Sequence, residues 1–231
     1  HRNRGLDKAL LQEPGVACNS NPAREVDATH KEKEMVKIAI VYHSGYGHTA
    51  VQAQAVFRGA SEVAGADVTL IPVEECATHW EIFDAADAIV FGAPTYFGSA
   101  SAQFKSFLDE TSGRWLEGRW ANKLAAGFTN SAGMSGDKLA TLQQINHFAM
   151  QHGMVWVGLG LPPGNNTSTG SPEDLNRLGG FLGAMSQADA DVPPEVAPSG
   201  SDLRTAEYLG RRVAEAAHRW QSGRGVKAAT A

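Results

Sequence analysis

Lys37-Ile38-Ala39-Ile40-Val41-Tyr42-His43-Ser44-Gly45-Tyr46-Gly47-His48-Thr49 passes within a few residues from an apolar run into a glycine-bearing loop. The run Lys37–Tyr42 is apolar almost throughout, as a strand covered on both faces requires. Beyond the loop, Ala53, Val56, Phe57, Ala60, Val63 and Ala64 recur at helical spacing, and Gly65 ends the pattern. A strand, a tight loop and a helix in this order make the first unit of a parallel sheet.

Working outward, the same alternation repeats along the chain. Asp67–Val73, Ala88–Gly92, Leu124–Thr129 and Met154–Val157 read as four further strands. Between them lie a short helix around Trp80–Phe83, a helix carrying Phe104, Phe107 and Leu108, and a helix over Leu139–Met150 with Leu142, Ile145 and Ala149 inward. Ser201-Asp202 reads as the cap of a last helix through Leu203, Ala206, Val213 and Ala217. Five βα units predict a doubly wound α/β fold, with ligands bound at the carboxyl ends of the strands beside the reversal in strand order. Residues 158–200 read as one long connection, which such a fold tolerates mainly for functional reasons.

Residues 1–34 show no apolar periodicity and run into the charged cluster Lys31-Glu32-Lys33-Glu34, so they read as a disordered leader or a reading-frame extension, with Met35 as the expected natural start. One domain over residues 35–222 and a flexible tail over 223–231 complete the expected organisation.

Composition narrows the function classes. The 231 residues are 42% hydrophobic and 19% charged, which suits a globular chain. Twenty basic against 25 acidic residues give a net charge of −5 with no basic stripe, which argues against nucleic acid. No apolar run reaches the roughly 20 residues of a membrane span, and the expected setting is cytoplasmic. Cys18 and Cys76 are too few for a disulfide framework. Histidines five apart, His43/His48 and His147/His152, do not match the four-residue spacing of two ligands on one helical face, so no metal is expected. The 25 glycines, about 11% against an average of about 7%, mark many sharp turns or close approaches.

Three loops at strand ends carry the candidate site. Ser44-Gly45-Tyr46-Gly47-His48-Thr49 has the form of a phosphate cradle: glycines admit the ligand to the backbone, helix-end amides favour an anion, and two hydroxyls add donors. It lacks the lysine of a nucleotide-hydrolase loop. An ordinary βα turn is the plain alternative. Gly45-Tyr46-Gly47-His48-Thr49-Ala50 also fits the loose dinucleotide fingerprint, but the acidic residues Glu74 and Glu75 come late for it. Pro94-Thr95-Tyr96-Phe97-Gly98 sets an aromatic pair among turn formers, which suits a planar ring ligand. Asn130-Ser131-Ala132-Gly133-Met134-Ser135-Gly136 exposes backbone groups that can bond the polar edge of a heterocycle. Its rival reading is a hydrolase nucleophile elbow in which Asp137 replaces the second glycine.

Taken together, these loops resemble those of the flavodoxin-like proteins, specifically the WrbA-type NAD(P)H:quinone oxidoreductases. Tyr42-His43-Ser44-Gly45-Tyr46-Gly47-His48 is similar to that family's Tyr-Tyr-Ser-x-Tyr-Gly-His, and Phe91–Gly98 to its Phe-Gly-Thr-Pro-Thr-Arg-Phe-Gly. Phe107-Leu108-Asp109-Glu110-Thr111-Ser112-Gly113-Arg114-Trp115 is similar to Phe-Leu-Asp-Gln-Thr-Gly-Gly-Leu-Trp. The resemblance covers about residues 36–220 and implies a five-stranded parallel sheet in the order 2-1-3-4-5. It implies FMN with its phosphate at Ser44–Thr49, its ring against Pro94–Gly98 and its polar edge along Asn130–Gly136. Trp115 then matches a quinone-pocket aromatic, Tyr46 a residue of nicotinamide-dinucleotide binding, and His152 a histidine near the flavin of an adjoining subunit. The implied reaction is ping-pong: hydride from NADH or NADPH to FMN, then two-electron reduction of a quinone, with no catalytic side chain singled out. A homodimer or homotetramer is implied, and the 158–200 connection is expected to form a flap over the flavin. Tyr96 stands where the family has arginine. The alternatives are an FMN electron carrier without its own activity and a dehydrogenase without flavin.

Overall fold

The computed structural model describes residues 35–223; the expected leader, and residues 224–231 of the expected tail, lie outside the described residues. In chain order the elements are β1 (Val36–Tyr42), α1 (His48–Ser61), β2 (Ala66–Pro72), a 3-10 turn (Val73–Thr78), α2 (Trp80–Ala85), β3 (Ala88–Tyr96) and β4 (Ser99–Ala100). They continue with α3 (Ala102–Glu110), α4 (Ser112–Leu116), β5 (Leu124–Ser131), α5 (Lys138–Gln151), β6 (Val155–Trp156), β7 (Ala184–Gln187) and α6 (Gly200–Gly223).

The sheet runs β2-β1-β3-β5-β6, and these neighbours pair in parallel. Alternation along β1 divides the core. Ile38 and Ile40 face a layer built from α1 and α6, whereas Ala39 and Val41 join Phe83, Phe104, Phe107, Trp120 and Ile145 on the opposite face. Both sides of the strand are thereby buried, which explains its unbroken apolar run.

The fifth strand departs from expectation because it comes in two pieces. β6 pairs with the start of β5 at Leu124 and Ala125; β7 pairs with its end, Phe128–Ser131, also in parallel. The chain leaves the sheet after Val157, whose amide still bonds the Ala125 carbonyl, and returns at Gly183. A Cβ on Gly183 would overlap the Gly127 carbonyl, so re-entry there requires glycine. The two ends are tied by Leu159 N–H to Phe181 O at 2.9 Å and by Trp156 Nε1–H to Leu182 O at 2.9 Å. Residues 158–200 are therefore not one structureless connection, since they contain a sheet strand.

The expected cap of the last helix is corrected too. α6 begins at Gly200; Ser201 Oγ donates to Pro172 O and Asp202 binds Arg177, so both side chains fasten the excursion instead of capping the helix. None of the described helices is long and apolar enough to cross a membrane.

α1 and α6 cross in close contact at two glycines. A Cβ on Gly59 would strike the Glu207 carbonyl, and one on Gly210 the Val56 carbonyl. Overpacking of this kind costs about 1–3 kcal/mol. Gly59→Ala and Gly210→Ala are each expected to lose about that much in urea unfolding; unchanged midpoints would mean that the helices separate at no cost.

Candidate functional site

A cavity of about 600 Å³ opens at the carboxyl ends of β1, β3, β5 and β7, where the strand order reverses. Four segments wall it. The first gives Ser44, Tyr46, His48 and Thr49, and the end of β3 gives Pro94, Thr95 and Tyr96. The third gives Asn130, Ser131 and Ala132; the fourth, following β7, contributes Ala188, Ala190, Val192, Pro193 and Pro194. Among the described residues, the lining includes no lysine or arginine.

The first wall is built by the turn into α1. Gly47 takes the left-handed conformation at φ 88° as the residue before the helix. Of the first-turn amides that follow, those of Ala50 and Val51 are taken by Ser44 Oγ and Gly47 O, which leaves those of His48 and Thr49 to face a ligand. Ser44 Oγ accepts from the Ala50 amide at 3.1 Å and fixes the curve of the loop. His48 Nε2–H donates to the Val192 carbonyl at 2.9 Å, and a Cβ on Gly47 would stand 2.8 Å from Pro194 Cγ. The first and fourth walls are therefore latched together.

At the end of β3 the sequence-predicted aromatic pair splits. Tyr96 turns into the cavity wall, its ring edge-on to Tyr46 with centroids 6.3 Å apart. Burial, with a smaller contribution from Tyr46, raises its phenol pKa, so it stays a neutral donor. Its hydroxyl lies 2.6 Å from where a Cβ of Gly45 would be, a close approach that requires glycine. Phe97, by contrast, is fully exposed at φ 49° and with Gly98 makes the sharp turn into β4. Thr95 is buried in a hydroxyl cluster with Thr129 and Thr141, each at 2.8 Å.

The third loop also divides. Asn130 Oδ1 accepts from Ser186 Oγ at 2.9 Å, joining β5 to β7, while Ser131 and Ala132 reach the cavity. Beyond them Gly133–Gly136 turn away, and Met134 and Ser135 line a separate depression beside residues 178–185. Ser135 is exposed, and His152 bonds Thr111 in another groove, so the two do not pair as nucleophile and base.

Trp115 and His152 lie outside this cavity. They line a broader groove of about 1170 Å³ between α3, α4 and α5. Trp115 is exposed, with Nε1–H donating to Gln151 O at 2.9 Å. His152 is 6% exposed, with its ring centroid 4.7 Å from those of Trp120 and Phe148. Because the Thr111 hydroxyl donates to Leu108 O, His152 Nε2–H donates to Thr111 Oγ1 at 2.9 Å, and Nδ1 is buried with no partner among the described residues. Burial lowers its pKa, since a second proton would have no acceptor. Within one chain, then, these two residues do not meet the other site residues.

Ala188–Pro194 are the end of the 158–200 connection expected to form a flap, and they carry no motif beyond small residues, Asp189, Asp191 and two prolines. One residue beside the cavity escapes a sequence reading. His43, at the root of the first loop, is buried with Nδ1 2.8 Å from Ser101 Oγ and Nε2 3.6 Å from Glu74. Burial lowers its pKa against the opposing pull of Glu74.

Residues 37–162 match the family described as NADPH-dependent FMN reductase. The chain belongs to the NADPH-dependent FMN reductase family. Among curated relatives of this family member, Flavodoxin FldP of Pseudomonas aeruginosa is 44% identical over 180 residues, covering 78% of this chain and 96% of the relative. An NAD(P)H dehydrogenase (quinone) of Geotalea uraniireducens is 34% identical over 212 residues, covering 80% and 98%. The crystal structure of the flavodoxin, WrbA-like protein from Agrobacterium tumefaciens is 39% identical, with a TM-score of 0.63 and coverage of 80% and 98%. The reductase-family fold seen here is accordingly flavodoxin-like, as the sequence resemblance implied.

The buried histidines make stability depend on pH. His43 and His152 bind protons less readily folded than unfolded, so stability is full above their ordinary pKa of about 6.5 and is lost as pH falls below it. The melting temperature is expected to drop between about pH 7 and about pH 5, and His152→Gln to flatten that slope. An unchanged slope in the variant would show that His152 is not the proton acceptor.

Proposed function

We propose that the chain is an FMN-dependent NAD(P)H:quinone oxidoreductase. The observation that carries this reading is the cavity itself, whose walls suit the parts of FMN. The αL turn at Gly47 and the first-turn amides of α1 make an anion cradle without a side-chain cation, fitting a phosphate held by backbone. Tyr96 and Pro94 form a flat wall for a ring, and the Ser131–Ala132 backbone offers polar groups to its edge. A volume of about 600 Å³ lies within the usual range of cofactor sites, about 300–1,000 Å³.

Bound FMN would supply the two-electron chemistry that links a nicotinamide hydride to a quinone. The protein's own work is positional. Ser44–Thr49 anchor the phosphate; the neutral Tyr96 phenol donates at the wall; and the Ala188–Pro194 segment, latched by His48, excludes water from one side. In place of the flap expected over residues 158–200, only 188–194 serve here, because the earlier excursion packs on α6 through Asn176 N–H to Thr205 Oγ1 at 2.9 Å. Trp115, His152 and Phe97 act at this site through a second copy of the chain, which makes the working form a homodimer or homotetramer. Relatives named NAD(P)H dehydrogenase (quinone) support the enzymatic reading. The 44%-identical relative named a flavodoxin supports the second reading, an FMN electron carrier.

Anaerobic visible spectra separate the two. FMN-loaded, desalted protein is expected to retain its flavin bands, bleach with NADPH or NADH, and regain colour with a quinone. Retained flavin that stays yellow with both nucleotides selects the carrier. Gly47→Ala, which forces a side chain into a left-handed position at a cost of about 1–2 kcal/mol, is expected to weaken FMN binding about tenfold. Unaltered affinity would place the phosphate elsewhere.

A further inference from the structure

Lys138 opens α5 with no solvent exposure at all. Three physical effects oppose it there. An ammonium is buried, it stands at the positive end of a helix dipole, and Arg177 brings a second cation close by. A local rule broken this strongly is expected where a site needs it.

The compensation is specific. Lys138 Nζ donates to Gly133 O at 2.5 Å and Met134 O at 3.2 Å, the two carbonyls that follow the cavity-lining Ser131 and Ala132. The charged groups facing it are Asp202 on α6 and Arg177 in the excursion. Asp202 is already committed, since its oxygens accept from Arg177 Nε at 2.8 Å, Arg177 Nη2 at 2.7 Å and the Gln187 amide at 2.9 Å. Gln187 in turn donates through Nε2 to Ala132 O at 3.0 Å. Gln187 Nε2 also donates to Asp189 Oδ1 at 2.7 Å, at the exposed end of the cluster. Behind the β5 wall the buried Asp202 faces the fully buried Lys138 and the partly buried Arg177, which is one positive charge in excess.

We propose that Lys138 is a positioning residue that sets the redox balance of the cofactor: its ammonium fixes the Ser131–Met134 turn and leaves an uncompensated positive charge behind the cavity wall, favouring reduced over oxidised flavin. This rests on the FMN reading above. A nicotinamide hydride delivers two electrons and one proton to the ring, so the reduced ring holds one negative charge more than the oxidised ring. A fixed cation nearby stabilises that form. Burial holds the Lys138 pKa down at about 8, so the charge is present near neutrality and lost in alkali.

The test is the two-electron midpoint potential of the FMN-loaded full chain, by anaerobic dye equilibration, for wild type, Lys138→Met and Lys138→Arg. At about pH 7, Lys138→Met is expected to lower the reduced-to-oxidised equilibrium about tenfold, equal to about 30 mV for a two-electron couple. Lys138→Arg should match wild type at about pH 7 and lie above it at about pH 9.5, because the guanidinium keeps its charge there. The arginine comparison decides the matter even if the methionine variant fails to fold. Superimposed potentials for wild type and Lys138→Arg at both pH values overturn the proposal, as does a methionine variant that loses melting temperature but not potential. If wild type holds no FMN after desalting, the cofactor reading falls first and this proposal with it; if it holds FMN and the potentials superimpose, only the role of Lys138 falls.

Discussion

The backbone reversal between β1 and α1 is the constraint on which the rest of the site depends. β1 is buried on both faces and ends at Tyr42, yet α1 must begin at His48 and run back along the sheet. A left-handed residue makes the turn into the helix, and Gly47 provides it at φ 88°. The same absence of a side chain lets Pro194 approach, while His48 bonds the Val192 carbonyl. One conformational choice therefore fixes the turn proposed to hold the phosphate and the position of the segment opposite it.

The divided fifth strand serves that segment. Had Val155 and Trp156 continued as one strand, the chain would have reached the cavity without the excursion. Instead the chain departs after Val157, fastens Pro172, Asn176 and Arg177 to the start of α6, and re-enters the sheet with Ala184 in register with Phe128. Asp202 is the joint, gripping Arg177 from the excursion and Gln187 at the end of β7. Its cost as a buried carboxylate is offset by bidentate pairing with arginine and a backbone amide. Through Gln187 this polar cluster reaches the Ala132 carbonyl, and Lys138, which feels the charges of Asp202 and Arg177, binds the next two carbonyls, so the β5 and β7 walls are tied together.

Much of the fold was legible because its strands are buried on both faces. The runs at Lys37–Tyr42, Ala88–Gly92 and Leu124–Thr129 declare themselves by apolar continuity, and the helices between them by spacing. β7 does not, because Ala184-Met185-Ser186-Gln187 has no β-branched residue and its place is set by the Asn130–Ser186 bond and by Gly183. In the site, the glycine loop and Tyr96 could be read from local residue types. Phe97 could not, since its outward turn comes from a positive φ, and Trp115 and His152 lie in a different groove of the same chain. Lys138 was hidden for the opposite reason: a lysine flanking a helix reads as solvated, and only tertiary structure supplies the carbonyls that let it be buried.

The most direct test is an FMN titration of the isotope-labelled chain followed by amide NMR. Saturable shifts concentrated in Ser44–Thr49, Tyr96, Ser131–Ala132 and the amides of 188–192 are the expected result, with the largest at the start of α1. Shifts confined to the groove of Trp115 and His152, or none at all, would contradict a phosphate held by the turn at Gly47.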